Sequence, residues 1–89
     1  MIKPTIGRVV LVHRPNSIDH SQPEPALVSY VWSDTLINVG GFDANGIPFN
    51  ATSVKLLQDD EAAPLIGQTY AEWMPVQKQA AADAAAKTS

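Results

Sequence analysis

Apolar and polar positions alternate along residues 26 to 57 in three runs, each ended by turn residues. Ala26-Leu-Val-Ser-Tyr-Val-Trp-Ser33 is broken by Asp34, Thr35-Leu-Ile-Asn-Val-Gly-Gly-Phe42 by Asp43-Ala44-Asn45-Gly46, and Ile47 to Leu57 carries the last run. Alternation with period two between such breaks predicts an antiparallel meander. In its first strand Ala26, Val28, Tyr30 and Trp32 share one face, and Leu27, Ser29 and Val31 the other. In its second, Thr35, Ile37, Val39 and Gly41 oppose Leu36, Asn38, Gly40 and Phe42. The Gly40-Gly41 pair in mid-strand marks a bulge, a sharp bend or a close approach by another group. Asn45-Gly46 is the strongest turn signal, because both residues tolerate positive φ.

Upstream, Thr5 to His13 predicts another strand. Ile6, Val10 and Val12 fall on one face with Arg8, and Val9 and Leu11 on the other with Gly7 and His13. Two largely apolar faces imply cover on both sides over part of its length. Arg14 to Pro25 is a long polar connection whose three prolines stop regular pairing. Downstream, Asp59 to Gln68 is an acidic loop. Tyr70 to Pro75 is too short for a helix and reads as a 3₁₀ turn or a short closing strand anchored by Tyr70 and Trp73. Beyond Pro75 the alanines favour helix, yet no apolar stripe runs along them and isolated helices of this length are marginal. Residues 76–89 are therefore expected to be disordered or weakly helical, ordering when docked. The expected fold is all-β, a small five-stranded SH3-like barrel over residues 1–75 with a long first loop and a flexible Ala-rich tail. Gly7, Gly40 and Gly41 are placed at the bends that closing so small a sheet requires.

With 89 residues, the chain is one domain that buries a modest share of its surface and gains from oligomerisation. Cysteine is absent, which excludes disulfides, thiol nucleophiles and thiolate metal sites. Net charge is −3. Up to Trp73, four basic residues (Lys3, Arg8, Arg14, Lys55) stand against eight acidic ones, which argues against duplex nucleic acid. A small anion, held by one or two cations and backbone amides, stays open. No leader pattern and no apolar run of about 20 residues is present, so the expectation is a cytoplasmic protein without a membrane partner.

Few residues point to chemistry. Asp43-Ala-Asn-Gly46 departs from a calcium loop at the positions that matter, with Ile47 fifth, Val54 twelfth and the glycine too early; it is a hairpin turn. Asn50-Ala-Thr52 matches a glycosylation acceptor only by chance. Asp59-Asp60-Glu61 reads as a solvated acidic loop. His13 and His20, the second beside Asp19, lack a recognisable nucleophile or metal, so catalysis is not expected and no cofactor or metal is implied. Six aromatic residues exceed what so small a barrel can enclose. Trp32 beside a turn and Trp73 beside Pro75 are candidate stacking platforms, with Arg8, Arg14 and Lys55 as candidate charge partners. Asn38 interrupts an apolar strand. It either hydrogen-bonds the Gly40-Gly41 segment or faces a ligand.

The run from Ala26-Leu-Val-Ser-Tyr-Val through Ile37-Asn-Val, Phe42-Asp-Ala-Asn-Gly46 and Thr52-Ser-Val54 to Glu72-Trp73-Met-Pro75 resembles a group of small uncharacterised β-rich proteins of tailed phages and prophages. The likeness covers about half the chain. It implies a non-enzymatic accessory role. By analogy with phage oligomers that sequester nucleotide signals of host defence, it implies a homo-oligomer holding a small nucleotide-type ligand; the alternative is a protein-interaction module or minor virion component. Arg8, Arg14, Trp32, Asn38, Lys55 and Trp73 are the expected ligand-binding residues.

Overall fold

Five strands and one helix account for the regular structure: β1 (Val9–His13), β2 (Glu24–Ser33), β3 (Leu36–Phe42), β4 (Pro48–Leu56), β5 (Tyr70–Glu72) and α1 (Pro75–Thr88). The structure, a computed structural model, describes residues 2–19, 21–59, 61–64 and 67–88. Strands β1 to β4 run as an antiparallel meander. The connection from Leu57 to Thr69 is long enough to bring the chain back to its start. There β5 lies antiparallel to β1 and parallel to β4, which closes the barrel. The expected all-β, SH3-like barrel is the observed architecture. Of the two readings for Tyr70 to Pro75, the short closing strand is the one the chain adopts.

The interior is made by the alternation itself. Val10, Val12, Ala26, Val28, Ile37, Val39, Val54, Leu56, Ala71 and Trp73 form one buried cluster. Gly41 belongs to the same inward row and is there for clearance. A Cβ on it would stand 2.2 Å from the carbonyl oxygen of Pro25 and 2.8 Å from the Cβ of Ala26. Gly40 next to it has room, with nothing nearer than 4.0 Å. The close approach expected of the glycine pair thus belongs to one member.

Two local expectations are corrected. β1 begins at Val9 rather than Thr5, because Gly7 at φ +93° turns the chain and Arg8 N–H closes on Thr5 O at 3.2 Å. Its outer face is covered over part of its length, with Leu11 and His13 half-buried and Val9 exposed. In β2, Tyr30 and Trp32 do not continue the inward row of Ala26 and Val28. The ladder with β3 slips at Ser29, where Val28 pairs with Val39 but Tyr30 pairs with Asn38. One extra residue reverses the face of those that follow, up to a second slip at Trp32, where Val31 pairs with Ile37 and Ser33 with Leu36. Val31 therefore turns in against the core, and Tyr30 and Trp32 turn out.

Of the two readings for the tail, disordered or weakly helical, the helical one is adopted, as a 14-residue helix over Pro75–Thr88. Its start carries one half of a capping box: Met74 precedes Pro75 at the first helical position, and Gln77 Oε1 accepts from Met74 N–H at 2.8 Å. The other end of the same amide donates to Val9 O at 3.1 Å. Gln77 thereby bridges the β1–β5 ladder one step past its last strand pair, Leu11 with Glu72. Beyond this anchor, Val76, Ala80 and Ala82 are exposed, so the helix rests on its cap and on alanine propensity.

Gln58 seals the barrel where β4 ends. It is 4% exposed, yet every hydrogen-bonding direction of its amide is used. Oε1 accepts from Trp73 Nε1–H and from Ile2 N–H, each at 3.2 Å. Nε2 donates to Ile2 O at 2.7 Å and Asp34 O at 2.8 Å. One side chain ties the N-terminal segment, the β2–β3 turn and the closing tryptophan to β4.

Two stability predictions follow the packing. Gly41→Ala lowers unfolding free energy by about 3 kcal/mol, because backbone has to move, whereas Gly40→Ala stays within about 1 kcal/mol. Gln58→Leu loses about 2–4 kcal/mol by stranding the Trp73 indole N–H and the backbone groups around it. Urea titrations of the three variants measure both, with an unchanged m-value as the check that only stability moved.

Candidate functional site

The outward row of β2 and β3 is where the fold leaves aromatic side chains uncovered. Past the slip at Ser29 this row contains Tyr30 and Trp32, and across from them Leu36, Asn38, Gly40 and Phe42. Trp32 is 57% exposed and Tyr30 is 48% exposed. Their rings meet edge-on, with centroids 4.8 Å apart and planes at 68°, a favourable quadrupolar geometry that fixes both. Leu27, also exposed, pairs with Gly40 in β3 and with Val9 in β1, which extends the face across a third strand.

Asn38 is the polar centre of this face. Its Oδ1 accepts from Trp32 Nε1–H at 2.9 Å and from Ser53 N–H at 2.8 Å. Ser53 sits at φ +53° in a bulge of β4, where Thr52 and Ser53 stand against Asn38 alone. Of the two readings of Asn38, the bonds it makes are internal, and its partners are these bulge groups and not the Gly40-Gly41 pair.

The remaining candidates are dispersed. Trp73 is 1% exposed and lies in the core, so it cannot stack a ligand; the expectation of a platform there is corrected by its burial under Gln58. The Arg8 guanidinium carbon lies 5.5 Å from the centroid of the Trp73 ring, covering it. Lys55 pairs with Glu61 at 3.1 Å. The Glu61 carboxyl is held below its ordinary range, first by the N–H of Gln58 and then by Lys55. Arg14 is folded into the opposite end of the barrel. Its Nε and Nη2 donate to the two carboxylate oxygens of Glu24, at 2.5 and 2.9 Å, and its plane lies 3.9 Å from the Phe49 ring centroid. The hydrogen bond to Glu24 raises the Arg14 pKa; burial partly opposes this, and the charges of Glu24 and Asp43 reinforce it. A two-point pair with side chains 15% and 5% exposed is already neutralised and leaves little charge for a ligand.

Beside this pair, β1 and β5 bring together residues that sequence reasoning treated separately. His13 stacks on Tyr70 with centroids 4.5 Å apart and planes at 8°, and its Nε2 lies 2.7 Å from Glu72 Oε2. The strands pair His13 with Tyr70 directly, and only the register could reveal it. Lys78 of α1 reaches the other oxygen of Glu72 at 3.7 Å. His20 and Asp60 lie outside the described residues. Among the described residues, no group of three His, Asp or Glu side chains is arranged to hold a metal ion. No helix of the described residues is long and apolar enough to cross a membrane.

Fold and face together define a small closed β-barrel with an aromatic outer surface. Comparison with protein-family models gives no match, and neither curated proteins nor solved structures give one.

The two tryptophans report on two environments. Acrylamide is expected to quench Trp32 strongly and Trp73 weakly, so Trp32→Phe leaves blue-shifted, quencher-resistant emission. Asn38→Ala frees the Trp32 indole and the Ser53 amide. It is expected to red-shift the Trp32 emission and to destabilise by about 1–2 kcal/mol.

Proposed function

We propose that this chain is a non-enzymatic accessory binding protein that works as a homo-oligomer, assembled through the outer face of β2 and β3. The supporting observation is the absence of charge from that face. Leu27, Ser29, Tyr30, Trp32, Leu36, Asn38, Gly40 and Phe42 succeed one another with no acidic or basic side chain, while the chain as a whole carries −3. Two acidic molecules repel wherever their carboxylates meet, and an uncharged face lets one copy approach another without that repulsion. Aromatic side chains are enriched at interfaces, and here Tyr30, Trp32 and Phe42 stand at the surface of this face. A second copy also supplies the burial that so short a chain lacks.

In the phage setting that the resemblance implies, such an oligomer would sequester a small ligand of the host. A phosphate-bearing nucleotide finds weak support in the arrangement of cations. Arg14 is neutralised by Glu24, Lys55 faces Glu61, and Arg8 covers Trp73. An ordered stacking pair with Asn38 between strands supports an assembly surface better than a phosphate site.

Sedimentation velocity at about 100 µM chain, well above a micromolar Kd, is expected to show a dimer or larger species. Leu27→Glu and Trp32→Glu, each placing a charge on the face, should return the monomer with an unchanged circular dichroism spectrum. A wild-type chain that sediments as a monomer at that concentration ends the proposal.

A further inference from the structure

Where β1 ends and β5 begins, the two long connections frame a cleft of about 300 Å³. We propose that this cleft binds an uncharged ring bearing hydrogen-bond donors and acceptors, of the size of a nucleobase or a pyranose. The volume lies at the lower end of the range of small-ligand pockets, which sets that size.

The lining sets the chemistry. Gln22 and Gln68 contribute carboxamides to the cleft, and Ser17 and Tyr70 contribute hydroxyls. None of these four side chains makes a hydrogen bond among the described residues, in contrast to the amides of Asn38, Gln58 and Gln77, which are all engaged. A free carboxamide offers a donor and an acceptor side by side, which suits the edge of a base or a vicinal diol. The stacked His13 and Tyr70 add an aromatic wall, and a flat ring or the apolar face of a sugar packs on such a wall.

Charge sets the class apart from phosphates and carboxylates. Both cationic or potentially cationic groups of the lining have carboxylate partners, Arg14 with Glu24 and His13 with Glu72. Arg14 Nη1 makes no hydrogen bond among the described residues and can donate to a neutral acceptor while Glu24 keeps the charge balanced. A charged ligand would have to compete with carboxylates already in place, and a neutral one would not.

The site is separate from the β2–β3 face and does not depend on self-association. The test uses the full ¹⁵N-labelled chain, titrated in one arm with uridine and adenosine, in a second with glucose and N-acetylglucosamine, and in a third with the phosphorylated form of each. Saturable shifts of the Gln22 and Gln68 side-chain NH₂ signals are expected in the first or second arm, and the arm that saturates identifies the source of the ring. The phosphorylated forms should bind no more tightly. Gln22→Ala with Gln68→Ala should weaken binding about tenfold or more, whereas Trp32→Glu should leave it unchanged. The proposal is overturned if no neutral ring shifts these signals at millimolar concentration, if the phosphates bind tenfold tighter, or if the double glutamine variant binds like the wild type.

Discussion

A single acceptor atom, Asn38 Oδ1, holds the geometry on which the outer face depends. It draws the Ser53 amide from one neighbouring strand and the Trp32 indole from the other, so the bulges on both sides of β3 share one anchor. A bulge is a local excess of one residue and can slide along its strand, the more so beside a Gly-containing strand such as β3. Fixing it keeps Val31 inside and Tyr30 and Trp32 outside. The exposed aromatic pair is therefore a consequence of register, not of a hydrophobic surplus simply pushed outward.

The same economy of polar groups governs the two ends of the barrel. Gln58 closes one with four side-chain hydrogen bonds, and the Arg14–Glu24 pair closes the other beneath the Phe49 ring. No buried side-chain nitrogen or oxygen among the described residues lacks a partner. In a domain with so little interior, a buried group left unpaired would cost a sizeable part of the total stability. The consequence reaches function. Arg8, Arg14 and Lys55, which look available along the sequence, are committed to structure, while the cleft presents uncharged amides and hydroxyls and the side of the barrel presents aromatic rings.

The helix shows how a short local signal outweighs a bulk property. Composition and the lack of an apolar stripe argue for a loose tail. Gln77 nevertheless caps the Met74 N–H, Pro75 brings no donor of its own, and the second use of Gln77, on Val9 O, fastens the helix to the barrel. The proline at the first helical position and the glutamine two residues later were readable as a start signal. The contact to Val9 was not, because it spans nearly the whole domain.

Alternation, turn residues and glycines determined the all-β class, the five strands, the Asp43–Gly46 turn and most of the core, since those features depend on neighbours within a few residues. The turn is as read: Gly46 N–H closes on Asp43 O at 2.9 Å, and Asp43 Oδ1 accepts the Asn45 and Ile47 amides. Only the closed barrel decided which indole is buried, which cations are neutralised, and that His13 meets Tyr70. Period two cannot announce a one-residue slip, and residues 57 positions apart in the chain share no local pattern. The candidate sites were thus half visible: Trp32 and Asn38 stood out as an exposed ring and an odd polar residue, while the amides of Gln22 and Gln68 came together only where the two long connections meet beside β1 and β5.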